Sequence, residues 1–143
     1  MARLRASAQT QAMKPGDGAE QLARALPREA LRLLAEHVHS IGELDLLMLL
    51  EDDRRRSWEA EQICDRLRCP PSWVEPRLAA LAAAGLLREA QGRYSCAPSS
   101  AELDEALEAI AHAHRTRLEQ LTAVIVSPRR RRRALATVRG RRR

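Results

Sequence analysis

The chain has 143 residues, enough for one domain with tails, and 45% of them are hydrophobic. It contains no Phe and one Tyr, so we expect helices to dominate and any sheet to be small. No apolar run approaches the roughly 20 residues that cross a bilayer, and the N-terminus lacks the apolar block of a secretory signal. Three scattered cysteines agree with a reducing compartment, so we expect a cytoplasmic protein.

The positive charge is concentrated at the C-terminus. The formal net charge is +6, yet residues 129–143 hold nine arginines and no acid, which leaves about −3 on residues 1–128. We predict a disordered Arg-rich tail over 128–143 that holds DNA or RNA phosphates without reading sequence. The alternative is an extension that reflects GC-rich coding. The tail arginines are Arg129, Arg130, Arg131, Arg132, Arg133, Arg139, Arg141, Arg142 and Arg143.

Turn-forming residues divide the N-terminal part of the chain. A breaker cluster, Lys14 to Gly18, predicts a flexible arm over residues 1–25. A helix is expected to begin with Pro27 in its first turn. Ser40 and Glu43 then have the spacing of a capping box that opens a helix from Ile41 to about Leu50.

The stretch from Ser57 to Pro98 organises the chain. Trp58 is expected on a short strand and in the core, and Ala60–Leu67 on a helix. Pro70 and Pro71 then predict a turn. A second helix is expected to start after an N-cap at Ser72, with Pro76 tolerated at its fourth position and Gly85 as its left-handed cap.

A hairpin and a long helix are expected to follow. Strands over 86–90 and 93–97 flank Gln91-Gly92, a dipeptide suited to a two-residue turn. Ser99 and Glu102 then predict a capping box that opens one helix over 99–127. Its apolar stripe needs a partner, either the first helical segment or a second subunit, so this helix is a candidate for homodimerisation.

This order of elements predicts a mostly α fold with a small β-hairpin wing, a winged helix-turn-helix domain over 26–98 with a long C-terminal helix. From His37 to about Val126 the chain resembles bacterial winged-helix regulators of the MarR-like kind, and small proteobacterial winged-helix proteins of poorly defined role. The segments that carry the resemblance are residues 40–47 (SIGELDLL), Trp58 with Glu61 and Ile63, residues 78–87 (LAALAAAGLL), and Tyr94 before Ala97-Pro98.

The resemblance implies a dimeric regulator that binds operator DNA with its second helix in the major groove and its wing at the minor groove. Carried over, this assigns DNA contacts to Ser72, Trp73, Arg77 and Ala80 on the helix and to Gln91 and Arg93 at the wing. The sequence departs from a good DNA reader, because Arg77 is the only base on that helix and its alanines offer no hydrogen bonds to base edges. Residues 57–98 hold five acids and five bases, so the segment is neutral.

Other candidate sites have simpler interpretations. Trp73 is either an exposed anchor or is folded back over Pro70 and Pro71. The cysteines are expected to be buried small hydrophobes, with a redox-sensing thiol as the alternative. Neither pair of histidines two residues apart can readily chelate one metal, and no catalytic constellation or cofactor motif is present, so we predict no enzyme, no cofactor and no metal.

Three functions remain open at this point. The first is a transcriptional regulator that binds DNA. The second is a protein-interaction module that docks through Trp73, Pro76 and the alanine face, with a tail that binds nucleic acid non-specifically. The third is an RNA-associated protein acting through the tail.

Overall fold

The computed structural model describes residues 15–126, which form a mostly helical fold with a small three-stranded antiparallel sheet. The prediction of a mostly α protein with a small sheet is therefore confirmed. The described elements are α1 (Pro15–Ala25), α2 (Arg28–His37), α3 (Ile41–Asp52), β1 (Trp58–Glu59), α4 (Ala60–Leu67), α5 (Pro71–Ala83), β2 (Leu87–Ala90), β3 (Arg93–Cys96), α6 (Ala101–Thr116) and α7 (Leu118–Val126).

The predicted hairpin is present, with each strand one residue shorter at its outer end. Gln91 and Gly92 both have positive φ, 54° and 78°, which is the backbone of a two-residue type I′ turn. The Glu89 carboxylate accepts the Gly92 N–H at 3.0 Å and closes the loop further. The short strand β1 adds to the free side of β3, where Trp58 lies opposite Tyr94, so the strand order is β1-β3-β2.

Trp58 is in the core, as predicted, and is only 3% exposed. The Arg56 guanidinium lies over its ring at 3.6 Å from the centroid. Among the described residues, the indole Nε1 is the one buried side-chain nitrogen or oxygen that has no hydrogen-bond partner. Trp58 therefore contributes apolar burial and leaves a buried donor unsatisfied, which opposes part of that contribution.

Replacing Trp58 with Phe is expected to lower the free energy of unfolding by less than about 1.5 kcal/mol, because the lost contacts are partly offset by removal of the unsatisfied N–H. Trp58→Ala, which removes the whole ring, is the comparison and should cost about 3–5 kcal/mol. Urea unfolding monitored by circular dichroism measures both variants. A loss for Trp58→Phe as large as that for Trp58→Ala would contradict the prediction.

Helix α5 begins one residue before the predicted N-cap, so the assignment of Ser72 as the cap is wrong. Pro70 is extended at the N-cap (φ −73°, ψ 155°), and its carbonyl accepts the N–H groups of Trp73 and Val74 at 3.0 and 3.1 Å. Pro71, with no N–H and a fixed φ, suits the first helical position. Pro76 consequently lies at the sixth position instead of the fourth, where it removes the bond to the Ser72 carbonyl.

The prediction of a flexible arm over 1–25 is wrong for its last eleven residues, which form α1. Glycines at positions 16 and 18 do not stop the helix, because tertiary burial compensates for their low helix propensity. Ala19, Leu22 and Ala23 are buried, and α1 packs against α7. Residues 1–14 lie outside the described part of the chain.

The single helix predicted over 99–127 is two helices. Arg117 leaves helical geometry (φ −142°, ψ 49°), so α6 ends at Thr116 and α7 starts at Leu118. The N-cap is Ser100, whose Oγ accepts the Leu103 N–H at 3.2 Å, and the prediction of Ser99 as the cap is wrong by one residue. The break lets α7 pack on α1, which a straight helix projecting from the domain would not do.

The apolar side chains of α6 and α7 that suggested a dimer are largely buried by other parts of the same chain. Leu107, Ile110, Leu121 and Ile125 are each fully buried, while Leu118 is 49% exposed. These buried side chains are not available to a second subunit. The structural reason for expecting a homodimer through this helix is therefore removed.

Candidate nucleic-acid interface

Helices α4 and α5 are joined by a short turn and pack around a buried contact. Ile63 of α4 and Val74 and Leu78 of α5 are fully buried. Arg68 ends α4 in the left-handed conformation (φ 57°), and the Cys69 N–H donates to the Cys64 carbonyl at 3.1 Å, the closing bond of a Schellman motif. This turn sends the chain into α5 and leaves one side of that helix facing solvent.

The solvent-facing side of α5 is almost uncharged. Two of the predicted contact residues, Ser72 and Ala80, are exposed there. Glu75 is the only ionisable side chain among the exposed residues of the helix, so this face presents one negative charge and no cation. The exposed residues of α5 are Pro71, Ser72, Glu75, Pro76, Ala79, Ala80 and Ala83.

Trp73 packs against α3. It is half-buried, and its indole lies against Gly42 near the start of α3, where a Cβ would stand 3.3 Å from the ring carbon Cζ2. The glycine thus makes room for the aromatic ring. Trp73 is a contact between α3 and α5 and does not project as an exposed anchor.

Arg77 is held inside the chain by three interactions. Its Nε donates to Glu43 Oε2 at 3.0 Å, its Nη1 donates to the Trp73 carbonyl at 2.8 Å, and its guanidinium stacks over the Trp73 ring at 4.2 Å. The Glu43 side chain is 11% exposed and that of Arg77 is 34% exposed. The one base on α5 is therefore neutralised by a carboxylate from α3.

Glu43 is itself fixed by the N-terminus of α3. Ser40 is the N-cap, as predicted, and its Oγ accepts the Glu43 N–H at 3.3 Å. The other half of the predicted capping box differs, because Glu43 Oε1 accepts the His39 N–H at 2.8 Å instead of the Ser40 N–H. The carboxylate thus bridges the helix start with Oε1 and holds Arg77 with Oε2.

The hairpin arginine Arg93 forms a second ion pair. Gln91 is exposed at the tip of the hairpin. The Arg93 side chain, however, turns across the sheet to β1, where Nη1 lies 2.7 Å from Glu59 Oε1 and Nε donates to Ser57 Oγ at 3.0 Å. The positive charge of Arg93, like that of Arg77, is therefore neutralised by a carboxylate of the same chain.

Three other arginines, on α4, directly after it and on β2, were not assigned a role from sequence. Arg66 and Arg68 at the end of α4 and Arg88 on β2 are exposed, and none forms an ion pair within residues 15–126. The sequence contains no local signal that distinguishes these unpaired arginines from Arg77 and Arg93, which form ion pairs. The carboxylates that pair with Arg77 and Arg93 lie more than thirty positions away in the sequence.

The described part of the chain is anionic overall. Residues 15–126 contain nineteen acidic and thirteen basic residues, a formal charge of −6, while the other twelve bases lie in the flanking segments. The Arg-rich tail falls outside the described residues. An acidic surface repels a polyanion, so the charge of residues 15–126 by itself does not favour contact with nucleic acid.

Two of the three cysteines, Cys64 and Cys96, are buried. Burial raises the pKa of the Cys64 thiol and raises that of Cys96 to about 11, so both remain protonated at neutral pH. This supports the interpretation of these two as packing residues. Within residues 15–126, no group of three or more His, Cys, Asp or Glu is placed to hold a metal ion.

None of the helices in residues 15–126 combines the length and the apolar character needed to cross a membrane. Comparison of the chain with protein-family models, with curated proteins and with solved structures found no match.

Proposed function

We propose that this chain is a winged-helix DNA-binding regulator with no catalytic activity. The observation that carries the proposal is the arrangement of β1, α4, α5, β2 and β3. A helix-turn-helix pair is followed by a tight hairpin, and the short strand before the pair joins that hairpin antiparallel. In winged-helix regulators this order leaves the second helix exposed for the major groove and the hairpin tip beside it.

In this proposal, one part of the chain supplies most of the affinity for DNA and another part sets the orientation of the protein on the duplex. The nine tail arginines supply attraction to phosphates that does not depend on sequence. Arg66 and Arg68 at the end of α4 and Arg88 on β2 are exposed, and in this proposal they add phosphate contacts that set the register of α5 on the duplex. Helix α5 and the wing tip at Gln91 then contribute shape and a few base-edge contacts.

A protein-docking function is the second candidate. It is favoured by the ion pairs that Arg77 and Arg93 make with Glu43 and Glu59, which leave α5 without a free cation. The exposed face of α5, with Pro76 and three alanines, allows a partner backbone to approach closely. In this alternative the tail alone contacts nucleic acid, either DNA or RNA.

A negative charge introduced on the exposed face of α5 distinguishes DNA binding from protein docking. Ala79→Glu is expected to weaken binding of the full chain to duplex DNA roughly tenfold, since like charges juxtaposed at an interface cost on the order of 1 kcal/mol or more. Gln21→Glu, exposed on α1, adds the same charge away from the helix-turn-helix and is the matched control. Fluorescence anisotropy with a short labelled duplex measures both variants.

Equal affinities of the two variants would place α5 away from the DNA and favour protein docking. A genome-wide crosslinking profile of the full chain then identifies the partner class, because it records DNA, RNA and protein contacts in one experiment. Enrichment at defined genomic sites supports the regulator, whereas crosslinks to RNA or to one protein support the alternatives.

A further inference from the structure

The contact between Glu43 and Arg77 lies where the proposed DNA interface begins. A cleft of about 260 Å³ runs between α2, α3 and α5, and both residues line it together with Pro76 and Ala80 from the exposed side of α5. The cleft opens to solvent, so the guanidinium has room to turn outward from Glu43. The pair is therefore at the edge of the surface that α5 would present to DNA.

Two of the three guanidinium nitrogens of Arg77 are engaged within the chain. Nε donates to Glu43 Oε2, Nη1 donates to the Trp73 carbonyl, and one face rests on the Trp73 ring. A bidentate contact to phosphate through the Nε and Nη2 fork would have to displace Glu43 Oε2, because this fork of donors matches two phosphate oxygens. The Glu43 carboxylate also cancels the positive charge locally and repels an approaching phosphate.

We propose that Glu43 masks Arg77 in the free protein, and that α5 offers a cation to DNA only when Arg77 exchanges this carboxylate for oxygens of the phosphate backbone. The inference rests on the proposed DNA-binding function. Glu43 keeps its bonds to the His39 and Ser40 groups after the exchange, so the start of α3 stays intact. While Glu43 neutralises Arg77, the protein is attracted less strongly to DNA of random sequence. Arg77 contacts DNA only at sites where a backbone phosphate is held beside α5.

Glu43→Gln tests the mask with almost no change in shape. Glutamine keeps an oxygen for the His39 amide but loses the charge that holds Arg77. We expect binding to duplex DNA to tighten roughly two- to fivefold, the range of a partly exposed ion pair. The slope of log K against log salt should steepen by about 0.9, the contribution of one additional phosphate contact.

Two further proteins make this result specific. Glu108→Gln removes the same charge from an exposed position on α6 and measures the general effect of net charge. Arg77→Gln combined with Glu43→Gln should abolish the gain, because the released cation is then missing. Should Glu43→Gln melt well below the wild type, Glu43→Asp keeps the charge but withdraws it from Arg77 and should give an intermediate gain.

The inference is overturned if Glu43→Gln and Glu108→Gln bind alike, or if the gain persists in the absence of Arg77. These outcomes leave the DNA-binding proposal standing, since the wild type still binds the duplex. Absence of duplex binding by the wild type and both single variants at every salt concentration refutes the DNA-binding proposal itself, and this inference with it.

Discussion

Removal of residues 128–143 is expected to lower the affinity for duplex DNA by more than about a thousandfold at 50 mM salt. The truncated chain loses nine arginines and changes from a formal charge of +6 to −3. If most of these arginines contact phosphates, the slope of log K against log salt should fall by about 5–8, since each contact contributes about 0.9. Anisotropy titrations between 50 and 200 mM salt measure affinity and slope together.

A tail in which the nine arginines are replaced by lysines is the matched control. It preserves charge and length and removes the guanidinium groups. Retention of the wild-type slope would assign the tail a purely electrostatic role. Binding of the truncated chain with unchanged affinity would contradict the prediction and place the interface outside the tail, despite the formal charge of −3 on the truncated chain.

Gly85→Ala is expected to lower the free energy of unfolding by about 3 kcal/mol. Gly85 ends α5 with φ +85°, a conformation that costs an alanine roughly 1–2 kcal/mol. The added Cβ would also overlap the Ser99 hydroxyl. This hydroxyl cannot simply withdraw with its backbone, because the Ser99 N–H donates to the Gly85 carbonyl at 2.8 Å and ties the end of α5 to the segment before α6.

Gly92→Ala separates the two contributions. Gly92 has a similar φ of +78°, but no atom lies within 4 Å of the position its Cβ would take. Its replacement should therefore cost only the conformational part, about 1–2 kcal/mol. Chemical denaturation followed by circular dichroism gives both values. Equal losses at the two glycines would show that the Ser99 segment moves aside at little cost.

The ion pairs of the candidate interface change how the arginine content of this chain is interpreted. Sequence assigned DNA contacts to Arg77 and Arg93 because of their places on the second helix and the wing. In the structure both are offset by carboxylates, Glu43 and Glu59, that come from other elements. The exposed arginines of this region that form no ion pair within residues 15–126 are Arg66 and Arg68 at the end of α4 and Arg88 on β2.

The sequence by itself determined the features that depend on neighbouring residues. Gln91-Gly92 predicted the two-residue turn, because a type I′ turn needs positive φ at both positions. Ser40 predicted the start of α3, since its hydroxyl accepts an amide only three residues away. The mostly helical class followed from composition and from apolar spacing.

Tertiary structure decided the features that depend on distant residues. Helix α1 forms over a glycine-containing segment because α7 buries its apolar face, and the chain bends at Arg117 so that this contact can be made. The partners of Arg77 and Arg93 lie 34 residues away in sequence, at Glu43 and Glu59. No local spacing encodes such pairs, so only the fold could show that the arginines expected at the DNA are occupied within the chain.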